Sequence, residues 1–259
     1  MSTMLSGLKD KVAIVTAAGR NMGRAIALQL AHEGASVVVN VRSNEAEAHE
    51  VVQSARALGA QAEFFVGDIG QRTVVNALVD MTVKRFGTVH ILVNVAGVRP
   101  AKPFLDITDE ELQAVLSVNL LGSWYAAQAV LPYMVRQRYG RIINFSGIRA
   151  FAGGEGRAHV LVSKTGILGL TRALAFEFGQ YGITANTIVP GAFATQRHME
   201  WYPQQYHPAW HSDRRAETIP AKRLGSPEEI AGAVVLLASD AGAFINGQSV
   251  HVNGGEYVS

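Results

Sequence analysis

The chain has 259 residues, a formal net charge of +2, 17% charged and 48% hydrophobic residues. These are the proportions of a folded domain with a large buried sheet, and they exclude a disordered chain. Its 23 Lys and Arg residues are scattered without a basic arm, so the electrostatic footprint of a nucleic-acid binder is missing.

There is no cysteine, which excludes disulfides, thiolate catalysis and cysteine-liganded metal. Residues 1–9 lack a signal-type apolar region, and no apolar run reaches membrane-spanning length without polar interruption. The expectation is a cytoplasmic protein with a small-molecule substrate and no metal, nucleic acid or membrane partner.

Short β-branched runs recur at Val12–Val15, Ser36–Val41, Ala62–Val66, 89–95, 141–145, 184–189 and Ser249–Val252. Helical stretches lie between them at 23–33, 45–58, Arg72–Phe86, 110–138, 161–180 and 227–237. Alternation of this kind predicts an α/β fold: a doubly wound, seven-stranded parallel Rossmann-type sheet with helices on both faces. Thr108 with Glu111 forms a capping-box signal, and Ser226-Pro227-Glu228-Glu229 places an N-cap, a Pro at N1 and a Glu at N3. Residues 192–223, rich in His, Trp, Tyr and Pro, have no clean period and read as a substrate lid. No linker or repeat divides the chain, so 1–259 reads as one domain.

The first strand runs through Thr16-Ala17-Ala18-Gly19-Arg20-Asn21-Met22-Gly23 directly into a helix, the setting in which helix N–H groups face a diphosphate. This segment resembles the T-G-x-x-x-G-x-G turn of the short-chain dehydrogenases/reductases. The resemblance continues through Asp68-Ile69, Asn94-Val95-Ala96-Gly97, Asn119, Ser163-Lys164, Pro190-Gly191 with Thr195, and Asn253-Gly254-Gly255. It implies dinucleotide contacts from Thr16, Gly19, Arg20, Asn21, Met22, Gly23, Asn40, Arg42, Ser43, Asp68, Ile69, Asn94, Ala96, Gly97, Lys164, Pro190, Gly191 and Thr195. Ala17 and Asn21 replace two of the three glycines. Asn tolerates a positive φ, whereas Ala17 fits if its φ is negative.

Selectivity for NAD(H) in such folds comes from an acid at the end of the second strand. Here that end reads Val39-Asn40-Val41-Arg42-Ser43. Arg42 and Arg20 can embrace a 2′-phosphate, so NADP(H) is the expected cofactor.

In the same family a Tyr four residues before the Lys transfers the substrate proton, a Ser orients the substrate oxygen and an Asn holds a relay water. Here the Tyr position is Val160 and the Ser position is Gly147. Ser146 precedes the latter but should point to the opposite face of the strand end. Lys164 and Asn119 remain as catalytic candidates, and His159, beside the vacant Tyr position, is the first choice of replacement acid. Arg149, Arg157, His198, Tyr202, Tyr206, His207 and His211 are further candidates. Phe193, Trp201, Tyr202, Tyr206 and Trp210 could clamp a flat substrate or pack on a neighbouring subunit.

The expected function is an NADP(H)-dependent oxidoreductase acting on a small-molecule carbonyl or activated C=C bond through a non-standard proton donor. Two alternatives stand beside it: a lyase-like or hydrolase-like non-redox catalyst on the same scaffold, and a catalytically silent NADP-binding protein. The resemblance also implies a homotetramer or homodimer, formed through the two long helices at 110–138 and 161–180.

Overall fold

The apolar run Val12–Val15 forms strand β1, and all four of its residues are buried. Alternation along this strand divides the core. Ala13 and Val15 face one cluster while Ile14 faces the other, as expected when successive Cβ atoms point to opposite faces. The computed structural model describes residues 7–196 and 212–258, with side chains from Arg215 onward in the second stretch.

The elements follow in the order β1, α1 (Asn21–His32), β2 (Ser36–Val41), α2 (Glu45–Ala57), β3 (Ala62–Val66), α3 (Arg72–Phe86), β4 (Ile91–Asn94), α4 (Asp109–Leu116) and α5 (Gly122–Gln137). The second half continues with β5 (Gly140–Phe145), α6 (Arg149–Ala152), α7 (Ala158–Phe178), β6 (Ile183–Pro190), α8 (Ser212–Thr218), α9 (Pro227–Ala238) and β7 (Ser249–Val252). The seven strands form one sheet in the order β3-β2-β1-β4-β5-β6-β7, with every pairing parallel. Helices α1, α2 and α9 cover one face, and α3, α5 and α7 the other. The predicted doubly wound fold is what forms. Its strand order reverses between β1 and β4, and the crevice at their carboxyl ends is where such sheets take ligands.

The structure revises several element bounds. The expected helix over 110–138 is three pieces, because Ser117–Leu121 closes a π-helical turn between α4 and α5. Such a turn leaves the 3.6-residue apolar period nearly intact while shifting the hydrogen-bond partner, so periodicity does not reveal it. The expected strand over 89–95 shortens at its start because His90 turns its ring back, and its Nδ1 accepts from the Val12 N–H at 3.0 Å. Both predicted capping boxes form. The stretch Asp109–Gln137 is long and apolar enough to cross a bilayer by length and composition. Here Ala126, Ala127, Val130, Leu131 and Met134 from its α5 portion pack in the core.

A buried polar chain fixes the elements around the crevice. Asn94 on β4 donates to Asn144 on β5 at 2.9 Å, and Asn144 donates to Thr171 on α7 at 2.9 Å. Thr171 in turn shares a 2.7 Å hydrogen bond with Thr187 on β6. A buried chain of this kind locks register as well as position, although Asn94 Oδ1 has no hydrogen-bond partner among the described residues. It sets the long helix that carries Lys164.

Candidate functional site

The turn after β1 is built from inside. Thr16 Oγ1 accepts from the N–H groups of Val95 and Ala96 at 3.0 and 3.1 Å, and it donates to the Val93 carbonyl at 3.4 Å. Its hydroxyl therefore joins β1 to the end of β4. Ala17 and Asn21 both adopt positive φ, 51° and 50°. The condition placed on Ala17 from sequence, a negative φ, is thus overturned: the turn needs the left-handed region at both former glycine positions. Gly23 is required for closeness, because a Cβ there would lie 2.2 Å from the Ala17 carbonyl oxygen.

Helix α1 starts immediately behind this turn with no side-chain cap and no acid in its first turn. By contrast α2, α4 and α9 are capped by Asn44, Thr108 and Ser226. The first N–H groups of a helix need partners, and an oxyanion is one that can supply them. Asn21 clasps Gln196: its Nδ2 donates to the Gln196 carbonyl and its Oδ1 accepts from the Gln196 N–H, both at 2.9 Å.

At the end of β2 Arg42 and Ser43 are exposed beyond the buried Val41, and Arg20 is the N-cap residue of α1. Asn40 is buried, and its amide donates to the carbonyls of Val41, Phe65 and Gly67. Its side chain shapes the strand ends. Asp68 Oδ1 accepts from the Gly70 N–H at 2.9 Å, and Ile69 packs against Gly122 in the core. Sequence reading missed Glu47, whose Oε2 would lie 2.9 Å from a Cβ placed on Gly19. This carboxylate comes from α2, outside the strand-end position where an acid was sought.

The second group of candidate residues lies across β4 and α7. Lys164 is buried and its Nζ donates to the Phe145 carbonyl at 2.8 Å. Burial, aided by the charge of Arg99, lowers its pKa to about 8. A Cβ on Gly97 would lie 3.2 Å from Lys164 Nζ and 3.3 Å from Asn119 Oδ1, so the three residues converge and the glycine keeps the space open. Asn119 lies within the π-helical turn. Its Oδ1 accepts from the Val98 N–H at 2.7 Å, and its Nδ2 donates to the Val98 carbonyl and to Ser163 Oγ, both at 3.0 Å.

Val160 is buried at 5% exposure. Gly147 opens onto free space, with nothing within 4 Å of a Cβ placed there. Ser146 turns inward as expected and donates to the Lys164 carbonyl at 2.9 Å. His159 is buried with Nδ1 unpartnered, in the field of Glu111 and Lys102. Burial is the main cause of its lowered pKa. Among the described residues no hydrogen bond joins it to Lys164 or Asn119. The described residues also contain no cluster of His, Cys, Asp and Glu able to hold a metal.

Residues 16–256 match the family model described as enoyl-(acyl carrier protein) reductase. The chain belongs to the short-chain dehydrogenase/reductase family. It is 36% identical over 249 residues to a 3-oxoacyl-[acyl-carrier-protein] reductase FabG of Staphylococcus epidermidis, covering 96% of this chain and 100% of that protein. It is 34% identical over 253 residues to an L-rhamnose 1-dehydrogenase (NAD(P)(+)) of a Sphingomonas species, covering 97% and 98%. A solved structure from Sinorhizobium meliloti 1021, assigned to the short-chain alcohol dehydrogenases, superposes with a TM-score of 0.91 at 31% identity, covering 98% of each chain. The chain is therefore an oxidoreductase by type, with a nicotinamide dinucleotide as its class of cofactor. The uncapped α1 behind its left-handed turn and the space kept by Gly97 fit that group.

In this short-chain dehydrogenase/reductase the stretch after β6 is held by the C-terminal segment. Glu256 Oε2 accepts from the Ala192 N–H at 2.9 Å, and its Oε1 pairs with Arg215 at 2.6 Å. Gly191 follows Pro190 at the end of β6, where a Cβ would meet Asn253 and Glu256 at 2.7 Å. Phe193 is buried against Gly225 and packs into the core, while Thr195 is half-buried beside the Asn21 clasp. His198, Trp201, Tyr202, Tyr206, His207, Trp210 and His211 lie outside the described residues. No sequence signal marked Glu256, since its partners stand far from it along the chain.

Proposed function

We propose that this chain is an NADP(H)-dependent oxidoreductase acting on a carbonyl or an activated C=C bond of a small molecule, with a proton donor other than tyrosine. The observation that carries the reading is the convergence of Lys164 Nζ and Asn119 on Gly97, beside an apolar Val160 and an open Gly147. The framework that orients a nicotinamide ring is present. A phenol at the usual position is not.

When bound, the reduced dinucleotide supplies hydride. The chain's own residues orient it and place the proton. Thr16 and Asn119 fix the loop over 95–98, and Ser146 holds the backbone of Lys164. Lys164 holds a proton at Nζ with a pKa of about 8, near enough to neutrality to release it. This makes Lys164, directly or through one water, a better-placed donor than His159, which sits by Glu111 and Lys102. A conjugated C=C bond suits the arrangement, because its proton is taken up at a different atom from the hydride and no neutral hydroxyl is needed at the oxygen.

NADP(H) is favoured by Arg20 and Arg42 and by the apolar Val41 at the strand end. Glu47 beside Gly19 favours NAD(H) instead, since a carboxylate there repels a 2′-phosphate and accepts from a ribose hydroxyl. Titration with both reduced cofactors decides between them, with tighter NADH binding overturning the preference.

Self-association as a homotetramer or homodimer is part of the same reading. Trp124 on α5 and Val162 and Phe176 on α7 are 44%, 59% and 93% exposed, large apolar surfaces that a two-fold packing of these helices would cover. A cytoplasmic location accords with the absence of cysteine.

The test follows absorbance of bound NADPH during challenge with panels of ketones and α,β-unsaturated carbonyls. Oxidation with at least one panel supports the proposal. Cofactor binding with no oxidation on any panel removes it in favour of a catalytically silent binding protein or a non-redox catalyst.

A further inference from the structure

Asn21 stands at a left-handed position, φ 50°, where the turn pattern that this segment resembles has a glycine. Asn enters this region at less cost than most residues with a side chain, but glycine enters it freely. The side chain kept at this strained position is used far from its own turn. It makes two bonds to a residue 175 positions away, donating to the Gln196 carbonyl and accepting from the Gln196 N–H, both at 2.9 Å. An amide carries a donor and an acceptor side by side, so it pairs with both backbone groups of one residue as a neighbouring strand would. Glycine can make neither bond.

Gln196 ends a stretch whose earlier residues are pinned elsewhere. The Gly191 N–H donates to the Val252 carbonyl at 3.0 Å, the Ala192 N–H to Glu256 Oε2 at 2.9 Å, and the Ala194 N–H to the Gly225 carbonyl at 2.9 Å. Between them Phe193 is buried in the core. These anchors come from β7, the C-terminal segment and the residue before the cap of α9. The Asn21 amide comes instead from the first residue of α1. Residues 191–196 thus form a strap from the end of β6 to the start of α1, with Thr195 between its last two anchors.

The start of α1 is where a fold of this type takes the diphosphate of a dinucleotide, and a strap fastened to that residue borders the same place. Resting on the nicotinamide dinucleotide of the oxidoreductase reading above, we propose that Asn21 is a positioning residue that holds the strap to the phosphate turn and slows release of the bound cofactor. It acts through the backbone of Gln196. The effect is the same for NADPH and NADH, because the clasp is at the diphosphate turn, whereas Arg42 and Glu47 stand after β2 and on α2.

The experiment follows NADPH and NADH fluorescence by stopped flow with the full chain, and reads association and release rates separately. Wild type is compared with Asn21→Gly, Gln196→Pro and the double variant. Asn21→Gly suits the left-handed backbone and removes both bonds. Gln196→Pro removes the N–H that donates to Asn21 and leaves the turn untouched. Asn21→Gly should speed release of both dinucleotides by about fivefold to thirtyfold, the size of two net hydrogen bonds, with association within about threefold of wild type. Gln196→Pro should speed release by a smaller factor. The double variant should release at about the rate of Asn21→Gly, because both changes break one clasp. A variant that merely unfolds loses signal amplitude and keeps its residence time.

Four results overturn the proposal. Asn21→Gly leaves release unchanged, or it speeds association and release equally, or it acts on NADPH alone, or the two single effects multiply in the double variant. The two dinucleotides also separate this inference from the reading beneath it. Tighter binding of NADH with the expected release ratios upholds the clasp and overturns the NADP(H) preference alone. Wild type that binds neither dinucleotide overturns both.

Discussion

Asn119 holds Val98 by both of its backbone polar groups, accepting from the N–H at 2.7 Å and donating to the carbonyl at 3.0 Å. The amide comes from a π-helical turn and its target from the loop after β4. The pair therefore joins the helix layer to the mouth of the site. Replacing Asn119 with Ala strands both Val98 groups and one bond of Ser163. The expected loss is about 1–3 kcal/mol of stability, read as a lower urea midpoint with an unchanged slope. An unaltered midpoint would show that water substitutes fully for the side chain.

Ala17 sits at φ 51° where the left-handed region favours glycine. Relief of that strain is worth about 1–2 kcal/mol, offset by about 0.5–1 kcal/mol for the freedom glycine adds to the unfolded chain. Ala17→Gly should raise stability by up to about 1 kcal/mol without weakening NADPH binding. Thermal unfolding checks the first and a fluorescence titration the second. A drop in melting temperature would mean that Ala17 carries no strain.

Lys164 has its pKa lowered from 10.5 to about 8 by burial and by Arg99. Between these values the unfolded chain binds a proton that the folded chain has lost, so stability rises with pH across the window from about 8 to 10.5. Proton delivery runs the other way and should fall as pH rises through about 8. A kcat/KM profile on the best substrate should show this descending limb. Lys164→Met should abolish both the limb and most of the activity, and a limb that persists in the variant would assign the titration elsewhere.

His90 provides an acid-side counterpart away from the site. Burial, with help from Lys11, lowers its pKa from 6.5 to about 4 while its Nδ1 accepts from the Val12 N–H. The unfolded chain binds more protons between these values, so this contribution is complete above pH 6.5 and is lost as pH falls toward 4. His90→Asn should flatten the decline of the urea midpoint over that range. An equally steep decline in the variant would trace the acid sensitivity to other groups.

Gly147 has open space at its Cβ position, whereas Val160 is closely buried. Gly147→Ser should therefore be tolerated, while Val160→Tyr must direct its phenol into the same opening. The double variant is expected to acquire reduction of simple ketones through a hydroxyl pair beside Lys164, measured as ketone-dependent NADPH oxidation. A folded, NADPH-binding double variant without that activity would show that the remaining framework does not position a ketone.

The sequence by itself determined the layered sheet, because alternation of β-branched runs with 3.6-period stretches is a local property that burial on both faces imposes. It also determined the two capping boxes, which depend on local spacing, while the motif positions from Thr16 to Thr195 followed from the family resemblance. Only the tertiary structure decided which side chains face the crevice. Thr16 and Asn40, chosen as cofactor contacts, turn inward to bond neighbouring strand ends. The π-helical turn at Asn119 left no mark on the apolar period. Glu47 beside Gly19, Arg99 near Lys164 and Glu256 on Arg215 arise where crossovers bring separate segments together. Periodicity reports which face of an element is buried. The partner of a polar side chain depends on how those elements stack, and that relation is absent from any one segment.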